Sequence, residues 1–145
     1  MFNEKGDSMK RGLIVAALVV LTALAFGSTT GSAGSSSATV RVALKEFTLK
    51  PAAKSAPAGK VTFAVVNLGR VDHELVVIRT NRAVNKLFLD STGDVYEVGR
   101  VAKTEPINAG RTVNLTLTLK RGRYALICNL PGHYRAGQYA NFTVR

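Results

Sequence analysis

"RTVNLTLTL", residues 111–119, decides the fold: Val113, Leu115, Leu117 and Leu119 alternate with Thr112, Asn114, Thr116 and Thr118. A period of two puts the apolar set on one face and the polar set on the other, the mark of a strand with one face on a core. The same alternation recurs outward in both directions. "GRYALIC" (122–128) places Tyr124, Leu126 and Cys128 on one face, and "YANFTV" (139–144) does so with Ala140, Phe142 and Val144. Upstream, "TVRVAL" (39–44) aligns Val40, Val42 and Leu44, and "KVTFAVVN" (60–67) aligns Val61, Phe63 and Val65. After Leu44 the phase slips, since Phe47 and Leu49 carry the pattern on, so a bulge is expected near Lys45 and Glu46. "HELVVI" (73–78) is a further strand. Residues 80–110 read as irregular, with a short helix near "NRAVNKLF" (81–88) and a weak strand at "DVYEV" (94–98). Short strands separated by Gly and Pro turns, without a long helix, predict an all-β fold: a Greek-key antiparallel β-sandwich.

The chain has 145 residues, enough for one domain. Its first 33 residues read differently from the rest. Lys10 and Arg11 precede the apolar run "LIVAALVVLTALAF" (13–26), which gives way to small polar residues. That order describes a secretory leader, and the run is short of the ~20 residues a membrane helix needs. An uncleaved N-terminal anchor is the alternative. Residues 1–33 are therefore assigned to a signal peptide and the start of a Gly/Ser linker, and 34–145 to the working domain. An exported, periplasmic or otherwise extracytoplasmic location follows.

The whole chain carries 20 Lys and Arg against 9 Asp and Glu, a net charge of +11. Export argues against nucleic acid as the reason, and the basic residues are spread rather than clustered in an arm. The balance suits an acidic partner protein or an anionic surface.

The single cysteine is the sharpest clue. Exported chains pair their cysteines or lack them, so a lone Cys128 is inert, paired between molecules, reactive or a metal ligand. The chain has only two histidines, and both fall beside the same strand ends. His73 shares a face with Leu75 and Val77, and His133 follows Cys128 in "ICNLPGHYRAGQY" (127–139). One thiolate and two imidazoles make the trigonal set of a blue-copper site, whose weak axial position accepts a methionine sulfur or an amide oxygen. Met1 and Met9 are the only methionines, and both precede the domain; Gln138 stands at the axial position. Zinc would accept a similar set, but copper outranks it on such donors. Among the neighbours, Asn67 is placed to tie down the loop before His73, and Tyr134 and Arg135 are expected to be exposed.

With those residues in place, the chain resembles the cupredoxins, small blue-copper proteins of the plastocyanin/azurin type. The segments that carry the resemblance are "EFTLKPAAKSAPAGKVTFAVVNLGRVDHELVV" and "GRYALICNLPGHYRAGQYANFTV", within a match over residues 38–145. The resemblance implies His73, Cys128, His133 and Gln138 as ligands of one copper ion cycling between Cu(I) and Cu(II). The glutamine is similar to that of the stellacyanins. It further implies a non-enzymatic, monomeric electron carrier that meets a redox partner protein. A copper delivery or tolerance module without redox turnover is the alternative.

Overall fold

The computed structural model describes residues 37–145; the leader assigned to 1–33 lies outside the described residues. Among the described residues, nine strands form two packed sheets. In chain order they are β1 (Ser37–Lys45), β2 (Thr48–Pro51), β3 (Ser55–Ala56), β4 (Gly59–Asn67), β5 (Val76–Arg79), β6 (Arg100–Lys103), β7 (Thr112–Leu119), β8 (Gly122–Ile127) and β9 (Tyr139–Val144). One sheet has the order β2-β1-β4-β7 and the other β3-β9-β8-β5-β6, with the chain passing repeatedly between them. The alternating residues named from sequence meet in the middle. Val40, Val42, Leu44, Val61, Phe63 and Val65 from the first sheet pack on Leu75, Val77, Tyr124, Leu126, Phe142 and Val144 from the second. The Phe63 and Phe142 rings join the sheets edge to face, with centroids 5.3 Å apart. That arrangement adds directional preference to the burial itself.

The all-β sandwich is as expected, but two pairings are parallel: β1 with β4, from Ser37↔Lys60 to Leu44↔Asn67, and β3 with β9. Side-chain alternation is the same in parallel and antiparallel ladders, so it could not reveal this. β7 keeps its inward phase, yet only Leu119 is fully buried, while Leu115 and Leu117 are half-buried and Val113 is 36% exposed. β7 is an edge strand, and its outer end overhangs the core.

The slip after Leu44 is a hairpin rather than a bulge. Lys45 pairs with Thr48, and Glu46 and Phe47, joined by a cis peptide bond, form the turn. No helix forms at 81–88. Val84 and Leu87 give their backbone groups to a side chain instead: the Tyr134 hydroxyl donates to Val84 O (2.7 Å) and accepts from Leu87 N (3.1 Å). Tyr134, expected to be exposed, is thus buried, while Arg135 is exposed as expected. At 94–98 only a single bridge forms, Leu89↔Val95, and the strand of this segment is β6. The segment lies over the outer face of the second sheet. There Val84 and Val95 cover Val76, Ile78, Ala125, Ile127 and Tyr134 in a second apolar cluster. β5 and β8 are therefore buried on both faces, which is why "LVVI" and "ALIC" read as continuous apolar runs.

Candidate metal centre

β5 and β8 run antiparallel, with Val76 opposite Ile127. His73 precedes the first by three residues and Cys128 follows the second by one, so the register alone brings both to the same end of the sandwich. His73 is held by a two-way bridge to Ile107, through His73 N→Ile107 O (3.2 Å) and Ile107 N→His73 O (2.7 Å). Asn67, fully buried at the end of β4, ties the approach, as its sequence position suggested. Its Nδ2 donates to Val71 O (2.8 Å) and Ile107 O (2.7 Å), and its Oδ1 accepts from Gly69 N (2.8 Å).

The segment from Cys128 to Gln138 is closed by its own backbone. Cys128 N donates to Gln138 O (3.0 Å), Gln138 N to His133 O (3.1 Å) and His133 N to Leu130 O (2.9 Å). Gly132 turns the loop at φ +79°, a conformation that costs glycine little. Asn129, beside the cysteine, clamps the loop to the covering segment by accepting from Val95 N (2.7 Å) and donating to Val95 O (3.1 Å).

The three donors converge. His133 Nδ1 lies 3.3 Å from both Cys128 Sγ and His73 Nδ1, and the three ligand atoms fall within 4.8 Å of one another. This is the one such group of three or more His, Cys, Asp or Glu among the described residues. His73 and Cys128 are fully buried, whereas His133 keeps part of its ring at the surface, edge-on to Phe47 with centroids 5.1 Å apart. Burial raises the Cys128 thiol pKa above its ordinary value, opposed by backbone N–H groups of Glu74 and Leu130; the Glu74 N–H lies 3.3 Å from Sγ. Burial lowers the His133 pKa, and neighbouring His73 lowers it further, which favours the neutral imidazole a metal ligand needs.

Gln138 is buried in the same place. Its Nε2 lies 3.3 Å from Lys45 O and Thr48 O and 3.0 Å from His73 Nδ1. Those two carbonyls orient the amide and leave Oε1 buried with no hydrogen-bond partner. His73 Nε2 also lacks a hydrogen bond. Its neighbour is Glu46 Oε1 at 3.5 Å, an electrostatic contact too long to be a hydrogen bond. Glu46 accepts from Val71 N and Arg70 N, which hold its carboxyl ionised with a pKa of about 2. A carboxylate facing the far nitrogen of a ligand histidine is a common outer-shell arrangement in metal sites. Sequence reading missed Glu46, because only the β1–β2 turn brings it to His73.

The donor set fits a copper ion. It offers one soft thiolate and two imidazoles in trigonal number, with an orphaned buried amide oxygen alongside. An unpaired buried oxygen costs roughly 1–3 kcal/mol, a penalty that a cation would remove.

Residues 14–138 match the family described as Cupredoxin-like domain. Solved structures agree in fold. A reduced auracyanin from the photosynthetic bacterium Roseiflexus castenholzii is 21% identical, with a TM-score of 0.58 over 77% of this chain and 99% of that one. Auracyanin B is 29% identical, with a TM-score of 0.56 over 74% of this chain and 88% of that one. Rusticyanin from Thiobacillus ferrooxidans is 17% identical, with a TM-score of 0.56 over 74% and 77%. No curated protein is significantly similar to the chain in sequence.

Proposed function

The chain belongs to the cupredoxin-like family, and from that premise we propose that it is a monomeric blue-copper electron carrier, not an enzyme, working outside the cytoplasm. The observation that carries the reading is the convergence of Cys128 Sγ, His73 Nδ1 and His133 Nδ1 at one end of the sandwich. A bound copper ion would supply the Cu(I)/Cu(II) couple, moving one electron at a time. The chain's residues would do the rest. Cys128 and the two imidazoles hold both oxidation states without changing partners. The Asn67 and Asn129 hydrogen bonds keep the loops from moving between those states. Burial of His73 and Cys128 excludes water, and the exposed edge of His133 with Phe47 is the route by which the electron enters and leaves. In this reading Gln138 is the fourth ligand through Oε1, supported by that atom's burial without a partner. The redox partner is acidic, since the chain's net charge is +11.

Addition of Cu(II) to the purified protein tests the proposal. One equivalent should bind and give an intense blue to green colour from thiolate-to-copper charge transfer. Cys128→Ser should remove the colour and leave the sandwich folded. A colourless complex in the unmutated protein rules the reading out. Reversible voltammetry then separates a carrier from a delivery module, which would hold copper without cycling it.

A further inference from the structure

The end of the sandwich opposite the ligands carries a second feature. Arg79 closes β5, six residues of chain after His73, and lies opposite Tyr124 near the start of β8. At about 3.3 Å per strand residue, this pole is roughly 20 Å from the metal site. It holds a cavity of about 580 Å³ lined by Arg79, Arg100 and Arg123, with Thr80, Gly122 and Val101. Arg100 is paired with Glu97. Among the described residues, Arg79 and Arg123 have no carboxylate at ion-pair distance, nor does Arg121 in the turn between β7 and β8.

Arg79 is held in place. Arg79 Nη2 donates to Arg121 O (3.0 Å), and its guanidinium lies over Gly122, where an added Cβ would come within 3.2 Å of Nε. The Tyr124 hydroxyl donates to Lys120 O (2.7 Å) and fixes the same turn. The ligand end holds both signs: Glu46 faces His73, Asp94 faces Gly132 of the ligand loop and Glu74 is paired with Lys103, with Lys45 and Arg70 close by. The arginine-lined pole, by contrast, carries unpaired cations.

Beside the cavity, and sharing Thr80 with it, lies a surface of exposed apolar side chains. Phe88 is 56% exposed, Tyr96 57% and Val98 72%, with the Arg82 guanidinium 3.9 Å above the Phe88 ring. The chain also enters the domain at this pole. Ser37 pairs with Lys60, next to Gly59, which pairs with Leu119, three residues before Gly122.

We propose that this pole rests on an anionic phospholipid surface, with headgroup phosphates in the arginine-lined cavity and the Phe88–Tyr96–Val98 surface dipping into the interface. Arginine forks suit phosphate oxygens, and mixed aromatic and basic side chains suit the headgroup boundary. Seated this way, the protein turns the His133 edge away from the lipid.

The test is partition of the full chain onto phosphatidylcholine vesicles with and without phosphatidylglycerol. The apolar run contributes to both, so the ratio isolates the anionic preference. Arg79→Gln with Arg123→Gln should reduce that preference roughly 30-fold, at about fivefold per surface cation. Lys45→Gln with Arg70→Gln, which removes the same charge at the ligand end, should change it only slightly. Thermal unfolding of both variants confirms that they are folded, independently of any metal. Equal losses in the two variants, an unchanged preference, or no anionic preference in the unmutated chain would each overturn the proposal.

Discussion

Removing the Asn67 side chain should loosen the metal site without touching a ligand. Asn67→Ala deletes three hydrogen bonds, to Val71 O, Ile107 O and Gly69 N. The groups left behind are not equally stranded. Ile107 O still accepts from His73 N, and the Val71 and Gly69 contacts are only partly buried. The loss is therefore nearer the net worth of each bond than the full cost of an orphan, about 1 kcal/mol apiece and about 3 kcal/mol in all. For a domain of about 110 residues, that lowers the unfolding midpoint by about 12 °C or more. The same bonds hold the 67–73 loop against Ile107, whose bridge sets the height of His73, so copper affinity should fall by about tenfold. Thermal unfolding of the metal-free protein and a competition titration with a copper chelator measure the two effects separately. Asn67→Asp keeps the acceptor for Gly69 N but turns a buried carboxylate toward two carbonyls, and it should be at least as damaging. An Asn67→Ala protein that unfolds within 2 °C of the unmutated one, with unchanged copper affinity, would refute the argument that this side chain positions His73.

Gln138→Met replaces a hard amide oxygen by a soft thioether and should raise the reduction potential with the blue colour kept; if Gln138→Leu shifts the voltammogram by the same amount, Gln138 is not a ligand. Tyr134→Phe strands Val84 O and Leu87 N, and should cost about 3 kcal/mol in denaturant unfolding, with the visible spectrum little changed. The bimolecular rate with an acidic redox partner should fall as salt rises, because surface charges are screened beyond about 10 Å at 0.1 M; a stopped-flow rate that stays flat argues for apolar docking near Leu130 and Pro131.

The sequence by itself determined the sandwich and the three donors. Alternation at Val113–Leu119, Tyr124–Cys128 and Phe142–Val144 is a local property, because a pleated strand presents successive side chains to opposite faces wherever it ends up. The lone cysteine and the two histidines needed only their phase and their nearness to strand ends. What lies beyond one strand's pattern was decided by the tertiary structure. The parallel β1–β4 pairing leaves no trace in alternation, and the hairpin at Glu46 and Phe47 looked like a bulge because both produce the same phase slip. Tyr134 sits beside the partly exposed His133 in sequence, yet it is buried because its hydroxyl satisfies two backbone groups of a segment about fifty residues earlier. Glu46 reaches His73, and Arg79 meets Gly122 and Arg123, across chain separations that no local pattern encodes. Such contacts arise only when the sheets have closed and their strand ends are held a few ångströms apart.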